Sequence, residues 1–78
     1  MNTPYSISDG GQRDLDIRFT YHAPKPGQPE RYGQLRASGK ALAELALQLC
    51  PPSRETSLAL TKIEEAIFWA NAAIARNE

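Results

Sequence analysis

The chain has 78 residues, with nine Lys or Arg balanced by nine Asp or Glu, one histidine and one cysteine. One small domain is the upper bound, and a domain of this size buries only roughly 60% of its unfolded surface. Cys50 alone excludes an internal disulfide, Cys50 with His22 is too little for a zinc site within one chain, and the balanced charge argues against general binding to duplex nucleic acid.

Oligomerisation is the remaining route to a stable core. No apolar run approaches the ~20 residues of a membrane span, and the polar start has no apolar signal-peptide segment. The expectation is therefore a soluble protein of a reducing cytosol, without cofactor, metal or membrane partner.

In chain order, residues 1–13 are polar, carry Gly10-Gly11 and read as a loose tail. Leu15, Ile17, Phe19 and Tyr21 then alternate with Asp14, Asp16, Arg18 and Thr20, the period-two pattern of a half-buried strand. A lone strand is not stable. The segment 14–28 is thus expected as an extended or short-strand arm lying on helices or on another chain, its second half a proline-rich connector.

Residues 29–78 read as a helical hairpin domain. Pro29 suits a first helical turn, and Glu30 suits the positive end of the dipole. Leu35, Leu42, Leu45 and Leu49 recur at helical spacing, flanked by the small residues Gly39, Ala43 and Ala46. Gly39 costs about 1 kcal/mol of helix propensity, which points to close contact or ligand access. Cys50-Pro51-Pro52-Ser53 ends this helix, with Ser53 as N-cap of the next. Cys50 itself reads as a small, buried apolar residue rather than a nucleophile.

The second helix carries a three–four seam of Leu60, Ile63, Ile67, Ala70 and Ile74. Each helix spans roughly 20 residues, about 30 Å, and the short link makes them antiparallel neighbours. Leu58, Ala66, Phe68, Trp69, Ala72 and Ala73 lie outside the seam. A helix apolar nearly all round is buried nearly all round. The predicted fold is all-α: an antiparallel two-helix hairpin with an extended N-terminal segment, assembled as a homo-oligomer through Leu58, Ile67, Phe68 and Trp69.

Four groups of residues carry possible chemistry. Ser53, Arg54, Thr56 and Ser57 form an ordinary polar cap, and the same atoms are the parts of an anion site. Tyr32, Arg36 and Lys40 share one helix face, offering a ring and two cations; a solvated face is the plainer reading. Trp69 reads first as core or interface and Arg76 as a cation complementing the helix dipole, whereas Asn71 in an alanine-rich helix asks for a cross-subunit hydrogen bond or a ligand. Tyr21 either stacks on a base or closes the apolar face of its segment. His22 has no nucleophile or carboxylate at a telling spacing. Glu64 and Glu65 point about 100° apart, so they are no acid/base dyad and read as solvation or intersubunit pairing.

The turn Cys50-Pro51-Pro52-Ser53-Arg54-Glu55-Thr56-Ser57, the second helix with Ile67-Phe68-Trp69-Ala70-Asn71, and the segments Phe19-Thr20-Tyr21-His22 and Gln28-Pro29-Glu30-Arg31-Tyr32 together resemble the phage anti-CBASS sponge proteins. Their helical-hairpin domain is shared with phage anti-Thoeris sponges. The resemblance covers residues 14–78; about a dozen polar residues before Asp14 depart from the compact pattern. It implies a non-catalytic helical homohexamer in the host bacterial cytoplasm that sequesters cyclic di- and trinucleotide messengers of immune cyclases. By the same resemblance, Tyr21, Tyr32, Arg36 and Lys40 would contact a cyclic dinucleotide. Asn71 and Arg76, with Arg54 and Thr56 in reserve, would contact a cyclic trinucleotide. Neutral net charge suits such ligands, since a few converging cations balance two or three phosphates. The competing reading is a helical interaction module docking its apolar second helix on a host protein. Duplex binding is weaker still, because Arg54, Lys62 and Arg76 are well spread along that helix.

Overall fold

The computed structural model describes residues 3–78; the first two positions of the expected tail lie outside the described residues. Three helices follow in order: α1 (Asp9–Phe19), α2 (Gln28–Leu49) and α3 (Arg54–Asn77). There is no strand among the described residues.

The expected arm is helical over most of its first half, and α1 also takes in the end of the expected tail. Local polar pairing decides this. Ser8 caps the helix, its hydroxyl accepting from the Gly11 amide at 3.0 Å. Gln12 donates to Asp16 at 3.0 Å and Arg18 pairs with Asp14 at 2.9 Å, both at the i,i+4 spacing that only a helix brings together. His22 Nε2 donates to the Ile17 carbonyl at 2.8 Å, satisfying one of the open acceptors of the last turn. A strand had no partner to pair with, whereas the helix bonds within itself. The alternating apolar residues consequently split, with Leu15 and Phe19 on one side and Ile17 on the other. α1 buries no residue.

After the connector, Gly27 turns the chain in the left-handed region (φ 85°), where a side chain would be strained. α2 begins at Gln28, one residue ahead of the expected start, and ends before Cys50, whose amide still donates to the Ala46 carbonyl at 2.9 Å. Cys50 is exposed, not buried, because the turn carries it away from both helices. Ser53 opens α3, accepting from the Thr56 amide at 3.1 Å.

Among the described residues α2 against α3 is the one substantial packing of elements, and it runs antiparallel: Arg31 reaches Glu78 while Gly39 meets Ile67. All five seam residues of α3 are half-buried, as expected. On α2 the leucine stripe is not the seam. Gly39 is buried and Leu35, Ala43 and Ala46 are half-buried, whereas Leu42, Leu45 and Leu49 are exposed. The reason is close approach: a Cβ on Gly39 would fall 2.6 Å from Ile67 Cγ1, so small residues line the contact with α3 and the later leucines of the stripe stay at its margin or outside it.

No apolar side chain is fully buried among the described residues. The radius of gyration is 17.7 Å, against roughly 12 Å for a compact domain of this length.

Candidate functional site

Between α2 and α3 lies an open groove of about 620 Å³. Gly39 and Ala43 of α2 meet Leu60, Ile63 and Ile67 of α3 along its floor. Its edges carry exposed side chains: Arg36 and Lys40 from α2, Glu64 and Phe68 from α3. Arg36 and Lys40 are one turn apart, so both cations stand on the same stretch of rim. Neither enters an ion pair among the described residues, where the pairs are Asp14–Arg18, Arg31–Glu78 and Lys62–Glu65. An apolar floor beside unpaired cations suits a planar, anionic ligand.

The residues singled out in the sequence divide as follows. Arg36 and Lys40 share the groove. Tyr32, on the same face of α2, is half-buried and outside the lining, and Tyr21 stands in the connector, 82% exposed. Arg54 and Thr56 sit at one end of α3 and Asn71 and Arg76 toward the other, so Arg54 and Arg76 are about 33 Å apart along the axis. One chain does not join those four. Thr56 is already committed: it is buried, and its hydroxyl donates to the Pro51 carbonyl at 2.7 Å. Asn71 Oδ1 is buried without a hydrogen-bond partner among the described residues, a condition that costs roughly 1–3 kcal/mol. Of the expected interface residues, Leu58, Phe68 and Trp69 are exposed, while Ile67 is engaged within the chain against Gly39.

Glu64, assigned from the sequence to solvation or intersubunit pairing, lines the groove. The signal for it was its place one turn from both Leu60 and Phe68, legible only once the facing helix was known. Glu65 points elsewhere and pairs with Lys62 at 3.4 Å.

A separate polar cluster closes the open end of the hairpin. Gln28, buried to 3% exposure, accepts from the Lys25 amide at 2.9 Å and donates to Glu78 Oε1 at 3.1 Å. Arg31 donates to both oxygens of the Glu78 carboxylate, and Lys25 donates to the Glu78 carbonyl. The hydrogen bond from Arg31, then that from Gln28, lowers the Glu78 carboxyl to about 2. The same hydrogen bond raises Arg31 above its ordinary value. No group of three or more His, Cys, Asp or Glu side chains among the described residues is placed to hold a metal ion. No described helix is long and apolar enough to cross a membrane.

The model of the family described as "Acb2/Tad1, hairpin domain" matches residues 11–75. The chain belongs to the Acb2/Tad1 hairpin-domain family. That is the anti-CBASS and anti-Thoeris sponge family, a binding domain for cyclic oligonucleotides not known as catalytic. No curated protein and no solved structure matches the chain. The match spans most of the described chain, all of α2 and the proline turn included.

Proposed function

We propose that this protein is a non-catalytic sponge that binds cyclic di- and trinucleotide immune messengers in the host bacterial cytoplasm and so blocks CBASS-type anti-phage signalling. The observation that carries this reading is the pair of unpaired cations, Arg36 and Lys40, over the apolar floor between α2 and α3 in a chain of this family. The cations hold phosphate, and Phe68 on the opposite edge offers a ring for stacking. Tyr21 and Tyr32 join this dinucleotide site, Tyr21 across a subunit boundary.

The trinucleotide site takes Asn71 and Arg76, repeated around a symmetry axis so that one arginine meets each phosphate. The unpaired Asn71 oxygen supports this, since it asks for a donor. Arg54, with Thr56 holding the turn behind it, reaches that site only from a neighbouring copy. The assembly is a homohexamer built through Leu58 and Trp69, with Ile67 behind them; Phe68, the fourth expected interface residue, borders the groove and is left to the ligand. Sequestration is stoichiometric, so it needs sites in excess of messenger and a low dissociation constant.

Native mass spectrometry with cyclic di- and trinucleotides tests subunit number and ligand count together. Denaturing the complex should release the ligand intact; linear products would overturn the non-enzyme reading. A second reading has its own support: Phe68 and Trp69 are 63% and 62% exposed, as a docking face for a host protein requires. Under it, Arg36→Ala and Arg76→Ala leave anti-defence activity intact while Trp69→Ala abolishes it.

A further inference from the structure

The groove is not a plain anion receptor. Glu64 brings a carboxylate to the same cavity as Arg36 and Lys40, from the facing helix. The ordinary reason for such a carboxylate would be an ion pair across the groove, and none forms among the described residues; nor does Lys62 take it, being paired with Glu65. Left unpaired, Glu64 repels phosphate, so a ligand accepted here must bring it hydrogen-bond donors. Phe68 lies one helical turn further along α3 and is also exposed to the groove. Side chains one turn apart are about 5–6 Å from each other at Cβ. A purine stacked on Phe68, with its phosphates toward α2, therefore turns an edge to the Glu64 carboxylate.

Guanine offers N1–H and N2–H side by side, two donors matching the two carboxylate oxygens. Adenine sets an N1 acceptor there, lone pair against negative charge, with one amino donor beside it. We propose that Glu64 is a base-specificity residue that reads guanine, so that the groove takes a guanine-containing cyclic dinucleotide in preference to an all-adenine one. This rests on the sponge reading above and adds to it which base the groove selects.

Calorimetry on the full chain with cyclic GMP–AMP and cyclic di-AMP isolates the effect, since the two ligands share ring size and charge and differ in one base. The wild type should bind cyclic GMP–AMP at least tenfold more tightly. Glu64→Gln keeps one acceptor but sets an amino group against the guanine donors; the ratio should collapse toward one. Glu64→Asp, keeping the carboxylate, should retain the direction of preference, and circular dichroism confirms that each variant is folded. An unchanged ratio in Glu64→Gln, a wild-type preference for cyclic di-AMP, or an equal loss for both ligands, which would mean a sugar contact, overturns the proposal. If the wild type binds neither ligand, the dinucleotide part of the sponge reading fails and this proposal with it.

Discussion

At Gly39, a single methyl group would fall 2.6 Å from Cγ1 and 2.9 Å from Cδ1 of Ile67. Ile67 is β-branched and stiff at χ1, so its Cγ1 cannot swing aside cheaply. Gly39→Ala gains about 1 kcal/mol of helix propensity and incurs about 1–3 kcal/mol of overpacking. Thermal unfolding should show a net loss of stability, and Gly39→Leu a larger one. The sequence showed that this glycine had a purpose, but whether contact or ligand access explained it depended on Ile67. The groove cations were legible for a simpler reason: Arg36 and Lys40 share a face by helical spacing alone. Removing either should lose a charge-assisted hydrogen bond of about 1.5–3 kcal/mol, so Arg36→Ala should weaken cyclic dinucleotide binding roughly ten- to hundredfold by calorimetry. Glu64 was not legible, because which face of α3 meets the groove follows from the register of the pair.

At the scale of elements, the hairpin is held at both ends by polar groups. At the turn, the Ser53 and Thr56 hydroxyls and the Pro51 carbonyl bond to one another, and Ser53→Ala should cost about 1 kcal/mol in a chemical melt. At the open end, Arg31 and Gln28 hold Glu78, whose carboxyl is lowered to about 2 from an ordinary value of 4.5. A group depressed in the folded state stabilises above its unfolded value and loses that effect as pH falls through the folded one. The contribution of Glu78 should thus be complete above about pH 5 and fade between pH 4.5 and 2. Both partners are solvent-accessible, so salt should weaken the clasp as well. Melting wild type and Glu78→Gln from pH 6 to pH 2.5 checks this: the wild-type advantage at pH 6 should shrink to a small fraction at the acid end. The two long helices and their turn were legible from caps, prolines and seam. The helical state of α1 was not, since its period-two pattern is outweighed by Ser8, Gln12–Asp16 and Asp14–Arg18, none of them apolar signals.

The described residues form no core of their own. No described apolar side chain is fully buried, Leu42, Leu45 and Leu49 are exposed on α2, and Leu58, Phe68 and Trp69 are exposed on α3. Burying each of these large side chains contributes about 1.5–3 kcal/mol, which is large against the ~5–15 kcal/mol stability of a whole domain. The folded chain and its assembly should therefore be thermodynamically coupled. If so, the melting temperature rises with protein concentration, because mass action favours whatever only the folded state binds. Sedimentation should find an oligomer at micromolar concentration, with no well-folded monomer beside it. Trp69→Asp should break the assembly by placing a charge where an indole was covered, and it should abolish cyclic trinucleotide binding too, since Arg54 and Arg76 stand at opposite ends of α3 in each chain. A folded monomeric Trp69→Asp that still binds the trinucleotide would mean that the site is complete within one chain, and the shared-pocket arrangement would be wrong.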